Sequence, residues 1–312
     1  MKTKLTDRLK ITSTIGNEYL SATPPLPKNV QVEPTSRCNF RCNYCTLPNR
    51  SGKPRNADYN QLEQTLLQLK EIGIEAVGLF YLGESFLVPW LAEAIKIAKK
   101  QFQFPHVYIT TNGVFANEQK IYDCMDAGLD SIKFSLNYCN EEQFFEKTGA
   151  NPSHFQLIQQ HIKLAWNVRE SNNYSCNISA SSIKYDEGQV LRMEPVIADV
   201  ENYVDEHYWL PLNTQNEFYH DREYIVGNPG RLSSTMEKKA LPCWFLFTES
   251  RISFDQKVSF CPFIYDGTDD MGDLEEMSFI EIWHGEKFQE LRQKHLSGDI
   301  SGTVCDGCRF YL

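Results

Sequence analysis

The stretch Glu33-Pro-Thr-Ser-Arg-Cys38-Asn-Phe-Arg-Cys42-Asn-Tyr-Cys45 sets three cysteines in a Cys-x3-Cys-x2-Cys spacing. On one short loop that spacing can turn three thiolates toward a single cube of iron and sulfur. A cubane has four irons, so three ligands leave one iron open. No fourth ligand stands nearby, because the seven histidines lie at 106, 154, 161, 207, 220, 284 and 295. An open iron can bind something that then reacts, so the loop reads as catalytic. Zinc is the alternative. Structural zinc is four-coordinate and usually built from paired Cys-x2-Cys or Cys/His hooks. A Cys-x3 step is an unusual hook, which favours iron and sulfur.

The chain has 312 residues, enough for one large α/β domain and a small appended one. Its hydrophobic content of 41% supplies a core. The first ten residues are charged and carry no apolar signal stretch, and no apolar run approaches a membrane span. Ten cysteines without a secretion signal point to a reducing cytoplasm and to metal ligation rather than disulfides. The net charge of −10 argues against nucleic acid, which wants a basic surface. The expected partner is therefore a small molecule, with neither nucleic acid nor membrane involved.

Working outward from the loop, strand and helix patterns alternate. Residues 1–29 read as an irregular lead-in. Strands are expected at Asn29–Glu33, Ala76–Leu82, His106–Thr110, Ser131–Leu136, Tyr174–Ser181 and Tyr203–Trp209. Helices are expected at Tyr59–Ile72, from Pro89 to about Gln101, and at Asn117–Ala127, Glu141–Lys147, His154–Arg169 and Gly188–Ala198. Six such repeats argue a parallel sheet with helical crossovers. They are too few for an eight-fold barrel, so the fold class is α/β with a partial (β/α)6 TIM-like barrel over residues 30–210. Residues 211–242 read as a connector. Residues 243–312 form a small domain with a hairpin (Arg251–Phe254 and Val258–Cys261), one helix over Ser278–Leu296, and a closing cysteine pair.

In parallel β/α architectures reactive groups collect at the C-terminal ends of the strands. The cysteine loop follows the first strand, Gly83-Glu84 the second, Thr110-Thr111-Asn112-Gly113 the third, and Ser135-Leu136-Asn137 the fourth. Each alone reads as turn chemistry. Their shared position on one face of one sheet is the functional signal.

With these motifs the chain resembles the radical S-adenosylmethionine (radical SAM) enzymes over roughly residues 29–312. The resemblance implies a 4Fe–4S cluster on Cys38, Cys42 and Cys45, with the open iron chelated by SAM. It also implies reductive cleavage of SAM to a 5′-deoxyadenosyl radical that takes hydrogen from a substrate, and a reducing partner such as flavodoxin or ferredoxin. Tyr44 matches the aromatic position near the adenine. Gly83 and Glu84 match a Gly-Gly-Glu-Pro motif, although the first glycine and the proline are replaced by Leu82 and Ser85. Ser135 and Asn137 fit the ribose and carboxylate contacts, and Asn112 is an added contact.

Cys243, Cys261, Cys305 and Cys308 form a second, closed set. Four thiolates also make a normal zinc site. The surrounding texture resembles the twitch region, a shortened SPASM domain, which implies one fully ligated auxiliary 4Fe–4S cluster. Where that family's hairpin usually carries a glycine, this chain has Gln256. Of the other cysteines, Cys124 reads as core, Cys176 lies at the wrong end of the sheet, and Cys139 lies on the reactive face. A thiol at Cys139 could donate hydrogen to a substrate radical, against its plainer reading as a small buried hydrophobe.

Dehydrogenation or epimerisation of a sugar, aminocyclitol or nucleotide sugar is the leading expectation, with Asp186, Glu206 or His207 as candidate bases. The lead-in is too short for a leader-binding domain, which counts against the alternative, modification of a ribosomal peptide or protein side chain. An electron carrier is the third class, and it needs none of the four strand-end motifs.

Overall fold

The computed structural model describes residues 4–47, 52–212, 241–262, 269–306 and 308. Six strands, β1 (Asn29–Val32), β2 (Ala76–Gly78), β3 (His106–Thr111), β4 (Ser131–Ser135), β5 (Asn177–Lys184) and β6 (Glu206–Pro211), lie side by side in chain order. Every neighbouring pair among them is parallel. The expected partial barrel is therefore what forms. β2 is shorter than its apolar run suggested, and β5 and β6 begin three residues later than expected.

A chain of crossover helices covers the outside. These are α2 (Tyr59–Glu71), α3 (Leu91–Lys96), α4 (Glu118–Asp126), α5 (Glu141–Thr148), α6 (His154–Asn172) and α7 (Gln189–Val200), which follow α1 (Leu5–Ser13). Their starts are set locally. Asp58 accepts from Gln61 N, Asn117 from Lys120 N and Asn140 from Gln143 N, each satisfying an otherwise free first-turn amide.

Strand alternation sorts the side chains. Val30, Val77, Val107, Ile132, Ile178 and Ala180 point to the helices and are at most 1% exposed. The opposite face carries Asn29, Gln31, Tyr108, Lys133, Ser179 and Tyr208. The inner strand face thus carries polar groups among apolar ones. This is not the layered apolar filling of a complete eight-fold barrel.

Three features depart from the sequence reading. The lead-in contains α1, which closes the N-terminal end of the barrel: Thr6 N donates to Glu206 Oε2 at 3.0 Å and Thr248 Oγ1 donates to Thr12 O at 2.5 Å. No side chain caps α1, so packing rather than local signal holds it. The tail hairpin begins earlier than expected, and its first strand β7 (Glu249–Ile252) pairs in parallel with β1. Antiparallel β8 (Lys257–Ser259) and β9 (Asp270–Asp273) then extend one nine-stranded sheet. Finally, after the short α8 (Phe245–Thr248), the single tail helix is two, α9 (Phe279–Trp283) and α10 (Glu286–Ser297). Gly285 stands between them, where a Cβ would lie 2.8 Å from the Glu281 carbonyl oxygen. Most of the 211–242 connector lies outside the described residues.

Candidate active site

The cysteine loop leaves β1 at Glu33 and is anchored on both sides. Glu33 Oε1 accepts from Leu82 N and Gly83 N at 3.2 and 3.3 Å, and its Oε2 accepts from Phe254 N at 3.2 Å. Position 83 has to be glycine, because a Cβ there would lie 1.9 Å from the Thr35 carbonyl oxygen. Farther on, Arg41 N and Asn43 N donate to the carbonyls of Thr148 and Lys147, both at 2.9 Å, so the end of α5 clamps the loop.

The loop sulfurs are half-buried and electrostatically coupled. Burial, then the charge of Glu84, pushes the Cys38 thiol up to about 12. Burial, then Cys45 and Cys38, pushes Cys42 up to about 12, and burial raises Cys45 as well. Loading a cluster must therefore displace protons. Phe40 N lies 3.5 Å from Cys38 Sγ and Leu47 N lies 3.4 Å from Cys45 Sγ. Such N–H···S contacts tune iron–sulfur sites. Three coupled thiols on one loop, two of them met by backbone amides, fit a cubane with one iron left open.

The other strand-end residues gather around this loop. Asn112 Nδ2 donates to Asn39 Oδ1 at 2.8 Å and lies 4.0 Å from Cys38 Sγ. Glu84 is buried, and its carboxylate is already engaged with Phe86 N at 3.0 Å, Thr111 Oγ1 at 2.7 Å and Asn112 N at 2.7 Å. Burial raises its pKa against those three hydrogen bonds. Tyr44 is half-buried, and desolvation raises its pKa well above normal. Its hydroxyl lies 2.9 Å from that of Tyr138 and accepts from Asn137 Nδ2 at 3.2 Å. Tyr138 in turn lies 3.8 Å from Cys42 Sγ, a neighbour the sequence reading missed. The Asn137 Oδ1 is buried with no partner. Ser135 is half-buried at the end of β4.

The tail cysteines come from three separate segments, and Cys243 lies near the Cys305–Cys308 pair. Cys243 and Cys308 both raise the thiol of Cys305, after burial as the main cause, and Asp269 adds to it. Cys308 N donates to Cys305 O at 3.0 Å. Tyr81, which feels both Asp269 and Cys261, donates its hydroxyl to the Cys261 carbonyl at 2.7 Å. Three of the four thiols are buried. A set of only soft thiolate ligands suits an iron–sulfur cluster and also suits zinc.

The expected bases and hydrogen donor are elsewhere. Glu206 begins β6 at the wrong end of the barrel, where α1 occupies it. His207 faces the helix layer and bonds Ser182 Oγ at 2.9 Å. Asp186 is paired with Arg192 at 2.6 Å, and that hydrogen bond holds its carboxyl below the usual range. Cys139 lies against Arg192, with its amide on Gln143 Oε1 at 2.8 Å. Cys124 and Cys176 are buried as core.

A cavity of about 720 Å³ occupies the barrel interior. It is floored by α1 and reaches up to Leu82 and Thr110, next to Gly83 and close to Asn112. Its wall also includes Tyr81 and Pro262, beside Cys261. The cavity therefore runs beside Cys261 and reaches the strand ends near Gly83, although no cysteine is among its lining residues. Lys133 lines it, and burial alone lowers that amine to about 8. Sequence reading passed over Lys133, although a lysine between Ile132 and Phe134 on a buried strand was a usable signal.

Comparison with known proteins agrees with this geometry. Residues 32–168 match the radical SAM superfamily, and residues 243–309 match the SPASM iron–sulfur cluster-binding domain. The chain belongs to the radical SAM superfamily. Superfamily membership brings SAM and a 4Fe–4S cluster, and the SPASM domain brings further iron–sulfur clusters. GTP 3′,8-cyclase of Chlorobaculum tepidum is 32% identical over 115 residues, covering 37% of this chain and 34% of the relative. The cyclase of Aquifex aeolicus is 31% identical over 120 residues, covering 37% of each. The aligned part thus spans about a third of these relatives. Among solved structures, Streptococcus suis SuiB bound to S-adenosylmethionine has a TM-score of 0.62 at 18% identity, covering 86% of this chain and 68% of that one. BtrN in complex with AdoMet and 2-DOIA has a TM-score of 0.56 at 17% identity, covering 88% of each chain. These two radical SAM neighbours share the partial-barrel fold. No described helix of this radical SAM enzyme is long and apolar enough to cross a membrane.

Proposed function

We propose that this radical SAM enzyme dehydrogenates a small polar metabolite, such as a sugar, aminocyclitol or nucleotide sugar, held in the barrel cavity. The observation that carries the reading is a barrel cavity that reaches the strand ends near Gly83 and has Tyr81 and Pro262, the neighbours of Cys261, in its wall. Its volume of about 720 Å³ suits one small molecule. Cys38, Cys42 and Cys45 would hold three irons of the first cluster. Asn112, Ser135, Asn137, Tyr44 and the Gly83 backbone would position SAM beside it. Glu84 would act by fixing the Asn112 and Phe86 amides. Together the cluster and SAM supply a one-electron reduction that yields a 5′-deoxyadenosyl radical.

Cys243, Cys261, Cys305 and Cys308 would hold one auxiliary 4Fe–4S cluster on the far wall. That placement suits removal of the second substrate electron, while a proton leaves into the cavity. Epimerisation is disfavoured because Cys139 faces Arg192 and is not among the residues lining the cavity. A ribosomal peptide or protein side chain is the alternative substrate. A flavodoxin or ferredoxin would supply electrons.

Anaerobic reconstitution tests the reading. About eight irons per chain are expected if both sites hold cubanes. Strong reduction should yield 5′-deoxyadenosine, and the true substrate should leave as a product two hydrogens lighter. Deuterium from solvent at the reacting carbon would overturn the dehydrogenase assignment in favour of epimerisation. Turnover of a peptide would overturn the metabolite assignment.

A further inference from the structure

Lys133 is out of place electrostatically. It projects from the middle of β4 into the cavity, on the same strand face as Ser135 two residues above. Among the described residues no hydrogen bond or ion pair engages its ammonium. Across the sheet its register partners are Thr110 on β3 and Ser179 on β5, which project from the same face. The Ser179 hydroxyl is buried with no partner. The carboxylate of Glu249, which also lines the cavity, is already bound to Arg251 at 2.7 Å and to Asn29 at 3.1 Å.

An ammonium that faces a protein cavity without a counter-charge is normally paired or neutralised. Its flanking side chains on β3 and β5 offer hydroxyls and carry no charge. The missing partner is a negative charge of about the size of one small group.

We propose that Lys133 is the anchor for an anionic group, a carboxylate or a phosphate, on the substrate. The inference rests on the cavity being the substrate site and adds the class of substrate. Lys133 would bind the anion low in the barrel, helped by the Thr110 hydroxyl, which also lines the cavity. That would leave the rest of the molecule above it, toward Leu82 and the cysteine loop. Radical chemistry needs such an anchor, since an undocked substrate would leave the radical to react elsewhere.

The test uses the anaerobically reconstituted enzyme with SAM bound, titrated calorimetrically with inorganic phosphate and, separately, with malonate. Saturable binding of at least one probe is expected. Binding of phosphate alone assigns a phosphorylated substrate, and binding of malonate alone assigns a carboxylate. Lys133→Arg should bind within about threefold of wild type, while Lys133→Gln and Lys133→Met should bind at least tenfold more weakly. Iron content and SAM cleavage without substrate report that each variant is folded. If one neutral variant fails to fold, the other carries the comparison. Absence of binding by either probe, or equal binding by Lys133→Gln, overturns the proposal. Those results with 5′-deoxyadenosine still formed would sink the anion anchor alone, whereas loss of 5′-deoxyadenosine in the wild type would sink the enzyme reading itself.

Discussion

The two cysteine sets do comparable work by opposite means. Cys38, Cys42 and Cys45 fall within eight residues of one another on one loop, so their approach is a property of local chain geometry. Cys243, Cys261 and the Cys305–Cys308 pair come from three places, and tertiary packing rather than local spacing brings Cys243 to the closing pair. A local set can leave one position open and still be ordered, because Glu33, Gly83 and the end of α5 hold the loop. A dispersed set gains its order from the fold, and its metal in turn should stabilise that fold.

Breaking each set separately should give different losses. Cys42→Ala should abolish 5′-deoxyadenosine formation and lower iron from about eight to about four per chain, with the tail cluster retained. Survival of SAM cleavage in that variant would end the comparison. Cys305→Ala should also halve the iron but keep substrate-free SAM cleavage. Its thermal midpoint should fall more than that of Cys42→Ala, since the lost metal ties together separate segments. A similar loss of midpoint in both variants would show that the dispersed set is not structural.

Glu33 is where the two regions meet, because it holds both the Gly83 turn and the Phe254 amide of the hairpin. Glu33→Ala should cost about 3 kcal/mol by leaving buried amides unpaired. It should weaken iron retention at both sites, as measured by iron content after gel filtration. The smallest effect concerns the hairpin tip. Gln256 adopts a φ of +67°, the left-handed conformation that favours glycine. Its side chain offsets part of that strain by accepting from Thr65 Oγ1 at 2.7 Å. Both Gln256→Ala and Gln256→Gly lose the bond, but only glycine relieves the strain. The glycine variant should therefore be more stable than the alanine variant by about 1 kcal/mol in urea unfolding.

His106 sharpens the contrast from inside the barrel. Burial, then the charges of Arg8 and Lys99, lowers it to about 3, so it is neutral in the fold and takes up a proton on unfolding below about pH 6.5. Stability should therefore fall as pH drops from about 6.5 toward 3, by up to about 1.4 kcal/mol per pH unit from this one group. The slope difference between wild type and His106→Phe measures it.

Much of this was legible in the chain. Strand and helix alternation gave the six-strand partial barrel, since periodicity and caps such as Asp58 and Asn117 act over a few residues. Lone motifs were less reliable. Glu84 looked like a ligand contact, yet its oxygens are engaged with Phe86, Thr111 and Asn112. Glu206 looked like a base, yet strand β6 starts there and not where the apolar run begins.

Sequence alone determined the open three-thiol loop, because ligand spacing within eight residues is a local fact. It also determined the parallel β/α order, through periodicity. Tertiary structure decided what the barrel interior holds. Which face of β4 turns inward, whether Cys139 or Lys133 meets the cavity, and how near Cys261 comes to Tyr81 all depend on strand register and sheet closure. Those are long-range contacts, and no window of sequence contains both partners.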